Sequence, residues 1–187
     1  MHRTAFAAVL GVVALLALPA LCQTKPPAKQ PAQTQPAPTQ PQRLAAVQSW
    51  TAYTAAEKSG QICYIVGDPA KTEPANAKRD PVHLLVTHNT SDKTNSVVSF
   101  IAGYVFKDGS PAELDIGGNA FSLFTKDDTA WARDAATDKS IVEAMLKGKQ
   151  AVLKGSSARG TATTDTYALA GFGKVLAEID KACKVKR

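Results

Sequence analysis

Glu113-Leu114-Asp115-Ile116-Gly117-Gly118-Asn119-Ala120-Phe121-Ser122-Leu123-Phe124 reads as an antiparallel hairpin. Leu114 and Ile116 alternate with Glu113 and Asp115, the two-residue period of a strand with one buried face. Gly117-Gly118-Asn119 supplies turn residues, and Phe121 and Leu123 carry the alternation back. A chain that closes so tight a turn between two alternating runs is building an antiparallel sheet.

The same period extends in both directions. Trp50 to Ala55, Gln61 to Val66, Val82 to Thr87 and Ser96 to Phe106 are rich in Val, Ile, Phe, Tyr and Thr and predict four strands upstream. Asp68 to Pro81 separates them as a loop with three prolines. Downstream, Lys149 to Ser156 and Thr161 to Leu169 predict two more. Two segments change period. Asp138 to Lys147 groups Ile141, Val142, Met145 and Leu146 on one helical face, with Thr137 or Asp138 as cap and Gly148 as stop. Phe172 to Ala182 sets Phe172, Val175, Leu176 and Ile179 at i, i+3, i+4 and i+7. Eight strands with two peripheral short helices predict a mainly β, antiparallel sandwich.

The N-terminus predicts export. Met1-His2-Arg3 followed by the apolar run Ala5 to Leu21 reads as a signal peptide over residues 1–22, too short and poorly flanked to span a membrane. Cleavage before Gln23 removes Cys22; lipidation of Cys22 is the rival reading, and would anchor the chain to the outer membrane. Residues 23–46 read as a disordered tether, since Gln23 to Arg43 holds six Pro and six Gln and no aromatic residue. The domain follows at 47–183, with a basic tail at 184–187. The expected location is the periplasm or cell envelope. There Cys63 and Cys183, the cysteines left after the signal, are expected to pair.

Charge argues against nucleic acid. The whole chain carries 22 Lys and Arg against 16 Asp and Glu. Arg3, Lys25, Lys29 and Arg43 precede Leu44, which leaves 18 basic against 16 acidic residues from there on. Lys184, Lys186 and Arg187 form the tail, so the body is near neutral, unlike a surface built to neutralise phosphates. The basic ends could instead meet anionic lipid or polysaccharide.

No local set of residues announces catalysis. His83 and His88 lie five apart on one strand, point to opposite faces, and read as surface or strand-end histidines rather than a metal pair. There is no metal-binding motif, no nucleophile elbow and no dinucleotide loop, so neither metal nor cofactor is expected. Asp127, Asp128, Asp134 and Asp138 lack flanking aromatics and read as solvated loop charges rather than a glycosidase pair. Arg159, between two strands and followed by Asp165, predicts a buried Arg–carboxylate pair that pins the last hairpin, with ligand contact by Arg159 as the alternative.

The C-terminal third adds a resemblance. Ser157-Ala158-Arg159-Gly160-Thr161, then Thr164-Asp165-Thr166-Tyr167-Ala168-Leu169-Ala170-Gly171-Phe172, resembles the closing signature of the invasion-associated locus B family. Ala130-Trp131, Ile141 to Gly148, Trp50, Cys63, Gly103-Tyr104 and Leu114 to Gly118 are similar to that family too, so the resemblance spans Val47 to Cys183. It implies a periplasmic or surface-associated protein of Gram-negative bacteria with an immunoglobulin-like β-sandwich, and some members are linked to host-cell invasion. The chain departs from many members in having no Cys pair between Phe124 and Asp134. The resulting expectation is a non-enzymatic, monomeric envelope module with an unidentified envelope or host-surface partner. The alternatives are a small envelope hydrolase with a dispersed site and a lipid-anchored adhesin.

Overall fold

The computed structural model describes residues 40–187. The expected signal peptide, the lipidation site Cys22 and most of the tether lie outside the described residues. In chain order the elements are β1 (Gln42–Val47), β2 (Trp50–Glu57), β3 (Gly60–Gly67), β4 (Lys71–Glu73), β5 (His83–Asn89), β6 (Thr94–Ile101), β7 (Ala112–Ile116), β8 (Asn119–Lys126), β9 (Thr129–Trp131), α1 (Ala135–Lys147), β10 (Gln150–Ser156), β11 (Ala162–Ala168) and α2 (Phe172–Cys183). The strands form one antiparallel ladder in the order β1-β2-β3-β5-β6-β9-β8-β7-β10-β11-β4.

The hairpin that opens the reading is β7 and β8, with Leu114 opposite Phe121 and Ile116 opposite Asn119. Gly117 and Gly118 both have positive φ, 61° and 86°, as its two-residue turn requires. Alternation then sorts the sheet. Trp50, Ala52, Cys63, Ile65, Leu84, Val86, Val98 and Phe100 are all buried, while their neighbours in sequence face outward. On that outer face Tyr53 stacks on Tyr64 and Phe124 stacks on Trp131.

The two limbs of the ladder share one core. Phe100 of β6 meets Tyr167 of β11 edge-on at 5.8 Å, and the Trp50 indole N–H donates to the Ala168 carbonyl at 2.9 Å. An immunoglobulin domain divides its strands between two separate sheets; here β8 and β9 join the limbs into a single ladder. α2 packs on β1, β2 and β3, and α1 on β6. Phe172, Val175, Leu176, Ile179 and Cys183 bury the inner face of α2, each large side chain stabilising by about 1.5–3 kcal/mol. Gly67 passes so close to the Trp50 ring that a Cβ there would lie 2.1 Å from Cζ3.

Cys63 and Cys183 form a disulfide that joins β3 to the end of α2 across 120 residues. By chain entropy a loop of that length is worth about 4–5 kcal/mol.

Several boundaries depart from expectation. Residues 42–46 are a strand rather than tether, because β1 pairs with β2 through the turn at Gln48, whose φ is 54°. Two further short strands, β4 and β9, bring the total to eleven. β6 ends at Ile101 instead of running to Phe106. Gly103, at φ 70°, comes so close to the Asp80 carbonyl that a Cβ would lie 2.1 Å from its oxygen, and the chain turns away there. α1 starts at Ala135, capped by Asp134, whose carboxylate accepts from the Thr137 N–H at 2.7 Å. The basic tail is docked on the end of α2: the Val185 N–H donates to the Asp180 carbonyl, and Arg187 pairs with Asp180 at 2.7 Å. No helix among the described residues is long and apolar enough to cross a membrane.

Candidate functional site

A cleft of about 530 Å³ opens where three irregular segments converge. They are the connection from β4 to β5, the stretch after β6, and the turn between β10 and β11. Its size lies within the range of small-ligand sites.

The β10–β11 turn is built by its own backbone. The Ser157 N–H donates to the Thr161 carbonyl and the Gly160 N–H to the Ser157 carbonyl, with Gly160 at φ 81°. The chain after β6 is tied to this turn, since the Ala158 N–H donates to the Val105 carbonyl and the Lys107 N–H to the Ser156 carbonyl. Tyr104 and Phe106 meet edge-on at 5.1 Å and lie against Gly155, where a Cβ would come within 2.7 Å of the Phe106 ring and of the Tyr104 hydroxyl. The Tyr104 hydroxyl is hydrogen-bonded to the Thr163 hydroxyl.

Arg79 forms the floor. Its guanidinium grips both carboxylate oxygens of Asp165, donates to the Ala102 carbonyl at 3.3 Å, and lies 5.9 Å from the Tyr104 ring centroid. The Arg79 and Asp165 side chains are 7% and 1% exposed, so neither charge could stay here alone. Burial works against the guanidinium's charge, but the hydrogen bond and charge of Asp165 override it and hold its pKa above the ordinary value.

The expected Arg159–Asp165 pair is therefore replaced. Asp165 is buried, but its partner is Arg79, 86 residues away on a loop. Arg159 stands exposed at the mouth of the same cleft, near exposed Lys78, and makes no ion pair among the described residues. Val105, 59% exposed, forms an apolar lip. Arg79 left no local signal, but strand parity did: Thr163, Asp165 and Tyr167 face inward together on β11, and an inward carboxylate needs a cation.

The histidines face opposite sides of β5, but only His83 is a surface residue, 2.9 Å from Asp68. His88 is fully buried. Its Nε2 lies 2.8 Å from Asp180, and its Nδ1 accepts from the Ser96 N–H at 2.9 Å, where the pairing of β5 with β6 slips register. Arg187 completes the cluster by reaching the Ser96 hydroxyl at 2.9 Å. Burial, opposed by Asp180, holds the His88 pKa below its ordinary value. An Nδ1 that accepts fixes the neutral tautomer that donates from Nε2 to Asp180. No lone pair is left to take a proton from a serine hydroxyl, as a catalytic triad requires.

Asp138 is likewise buried rather than solvated. It accepts from the Val98 N–H of β6 at 2.8 Å, just beyond the end of the pairing with β9. No cluster of three or more metal-ligating side chains occurs among the described residues.

A family model described as Invasion associated locus B (IalB) protein matches residues 50–180. No curated protein and no solved structure matches the chain.

Proposed function

Because the chain belongs to the invasion associated locus B family, we propose that it is an exported, envelope-associated binding protein with no catalysis of its own. The single observation that carries this reading is the loop-built cleft above the Arg79–Asp165 pair. It gathers cations, hydroxyls and an apolar lip on a rigid base, and such loop surfaces on fixed scaffolds are where binding sites concentrate.

Export is supported by the N-terminal sequence and by the Cys63–Cys183 bridge, which suits an oxidising compartment. A hydrolase reading would need a histidine with a free ring nitrogen beside a nucleophile. His88 has both nitrogens engaged, and His83, bound to Asp68 through Nδ1 alone, makes no hydrogen bond to a serine, threonine or cysteine among the described residues; together these favour binding over catalysis. The periplasm or envelope is the proposed location, and an envelope or host-surface molecule the proposed partner.

A photo-crosslinking residue placed at Val105 in intact cells tests this, with one at exposed Leu146 of α1 as control. The reading expects a reproducible adduct from position 105 and none from 146. Equal capture at both positions, or none at 105, would overturn it.

A further inference from the structure

The charges that line the cleft are all of one sign. Among the described residues, Lys78, Arg79 and Arg159 border it, and no Asp or Glu does. Asp165 lies beneath and is committed to Arg79, whose guanidinium spends three N–H bonds on Asp165 and Ala102. Lys78 and Arg159, both exposed at the mouth, have no ion-pair partner among the described residues, and in a concave site such charges raise the local concentration of anions.

The remaining lining is mixed. Thr161 and Asn76 offer exposed hydroxyl and amide groups, while Val105 and the half-buried Tyr104 ring offer a small apolar surface. Hydroxyl and amide groups beside a ring face suit a sugar, which presents hydroxyls at its edge and C–H groups on its face. Two cations at the rim suit a ligand that also carries oxyanions, which Arg binds in bidentate fashion and Lys as a point charge.

We infer that the cleft binds a short anionic saccharide, with Arg159 and Lys78 taking its carboxylate or phosphate groups and Tyr104 and Val105 its ring face. The inference rests on the binding reading and names the ligand class. Arg79 is a positioning residue here: it holds Tyr104 in place through the cation–π contact and fixes the floor through Asp165. Uronic-acid and phosphorylated sugars share the relevant chemistry, so both are tested.

The test is calorimetric titration of the disulfide-closed exported protein with trigalacturonate, glucose 1-phosphate and neutral maltotriose, at low and near-physiological ionic strength. The expected result is saturable binding of trigalacturonate, glucose 1-phosphate or both, weakened by salt, with no binding of maltotriose. Arg159→Gln is expected to weaken it by about tenfold or more, the loss of a charge-assisted hydrogen bond. Lys78→Gln is expected to act in the same direction with less force. Both positions are exposed, so an unchanged melting temperature separates lost contact from lost fold. Stronger binding of the phosphate than of the uronate identifies phosphate as the anion and supports the inference. Equal binding of neutral and acidic sugars, full retention by Arg159→Gln, or no binding of either acidic sugar would overturn it. An adduct at Val105 in cells combined with failure here would remove the saccharide and leave the binding reading standing.

Discussion

Arg79 and Arg159 carry the same charge and border the same cleft, yet their environments assign them opposite roles. Arg79 is buried on Asp165, so Arg79→Ala strands a carboxylate in the interior and is expected to cost about 3–5 kcal/mol of stability. Arg159→Ala, at an exposed turn, is expected to change stability by less than about 0.5 kcal/mol. Thermal melts of the two variants side by side check both values. His88 supplies a second expectation. Its folded pKa is held below the ordinary 6.5 by burial, against the pull of Asp180 and with Arg187 opposing its charge. The unfolded chain therefore takes up a proton before the folded one does. Stability from this group is intact above pH 6.5 and is lost as pH falls below it. Urea midpoints measured across that range should fall for the native protein, and His88→Gln should flatten the slope.

At the level of elements, legibility followed the length of the pattern. The β7–β8 hairpin and α2 each repeat their period often enough to be read directly, and both stand where the sequence places them. The short strands could not be read that way. Lys71-Thr72-Glu73 lies in a proline-rich loop and is a strand only because β11 offers an unpaired edge, and Thr129–Trp131 depends in the same way on β6 and β8. Arg159 was legible as a candidate because it sits in a turn signature, whereas Arg79 acquires its role from a partner 86 residues distant. Asp138 shows the same limit: it looked like a loop charge, yet it caps the backbone of β6 from α1. Burial raises its pKa, opposed by the Val98 hydrogen bond. Asp138→Asn keeps an acceptor without the desolvated charge, while Asp138→Ala leaves the Val98 N–H unpaired. Denaturant titration should place the alanine variant about 1–3 kcal/mol below the asparagine variant.

Across the described residues as a whole, one disulfide and one continuous ladder hold together a core to which both limbs contribute. Replacing Cys63 and Cys183 together by alanine is expected to lower stability by about 4–5 kcal/mol, read from urea unfolding, because the bridge constrains a 120-residue loop in the unfolded chain. The framework leaves one end of the sheet free to carry the cleft, and the central claim is that this cleft, rather than the aromatic outer face, receives the ligand. Amide chemical-shift mapping during titration with trigalacturonate tests that claim most directly. Shifts concentrated at Asn76 to Arg79, Tyr104, Val105 and Ser157 to Thr163 are the expected result. Shifts centred instead on Tyr53, Tyr64, Phe124 and Trp131 would contradict it.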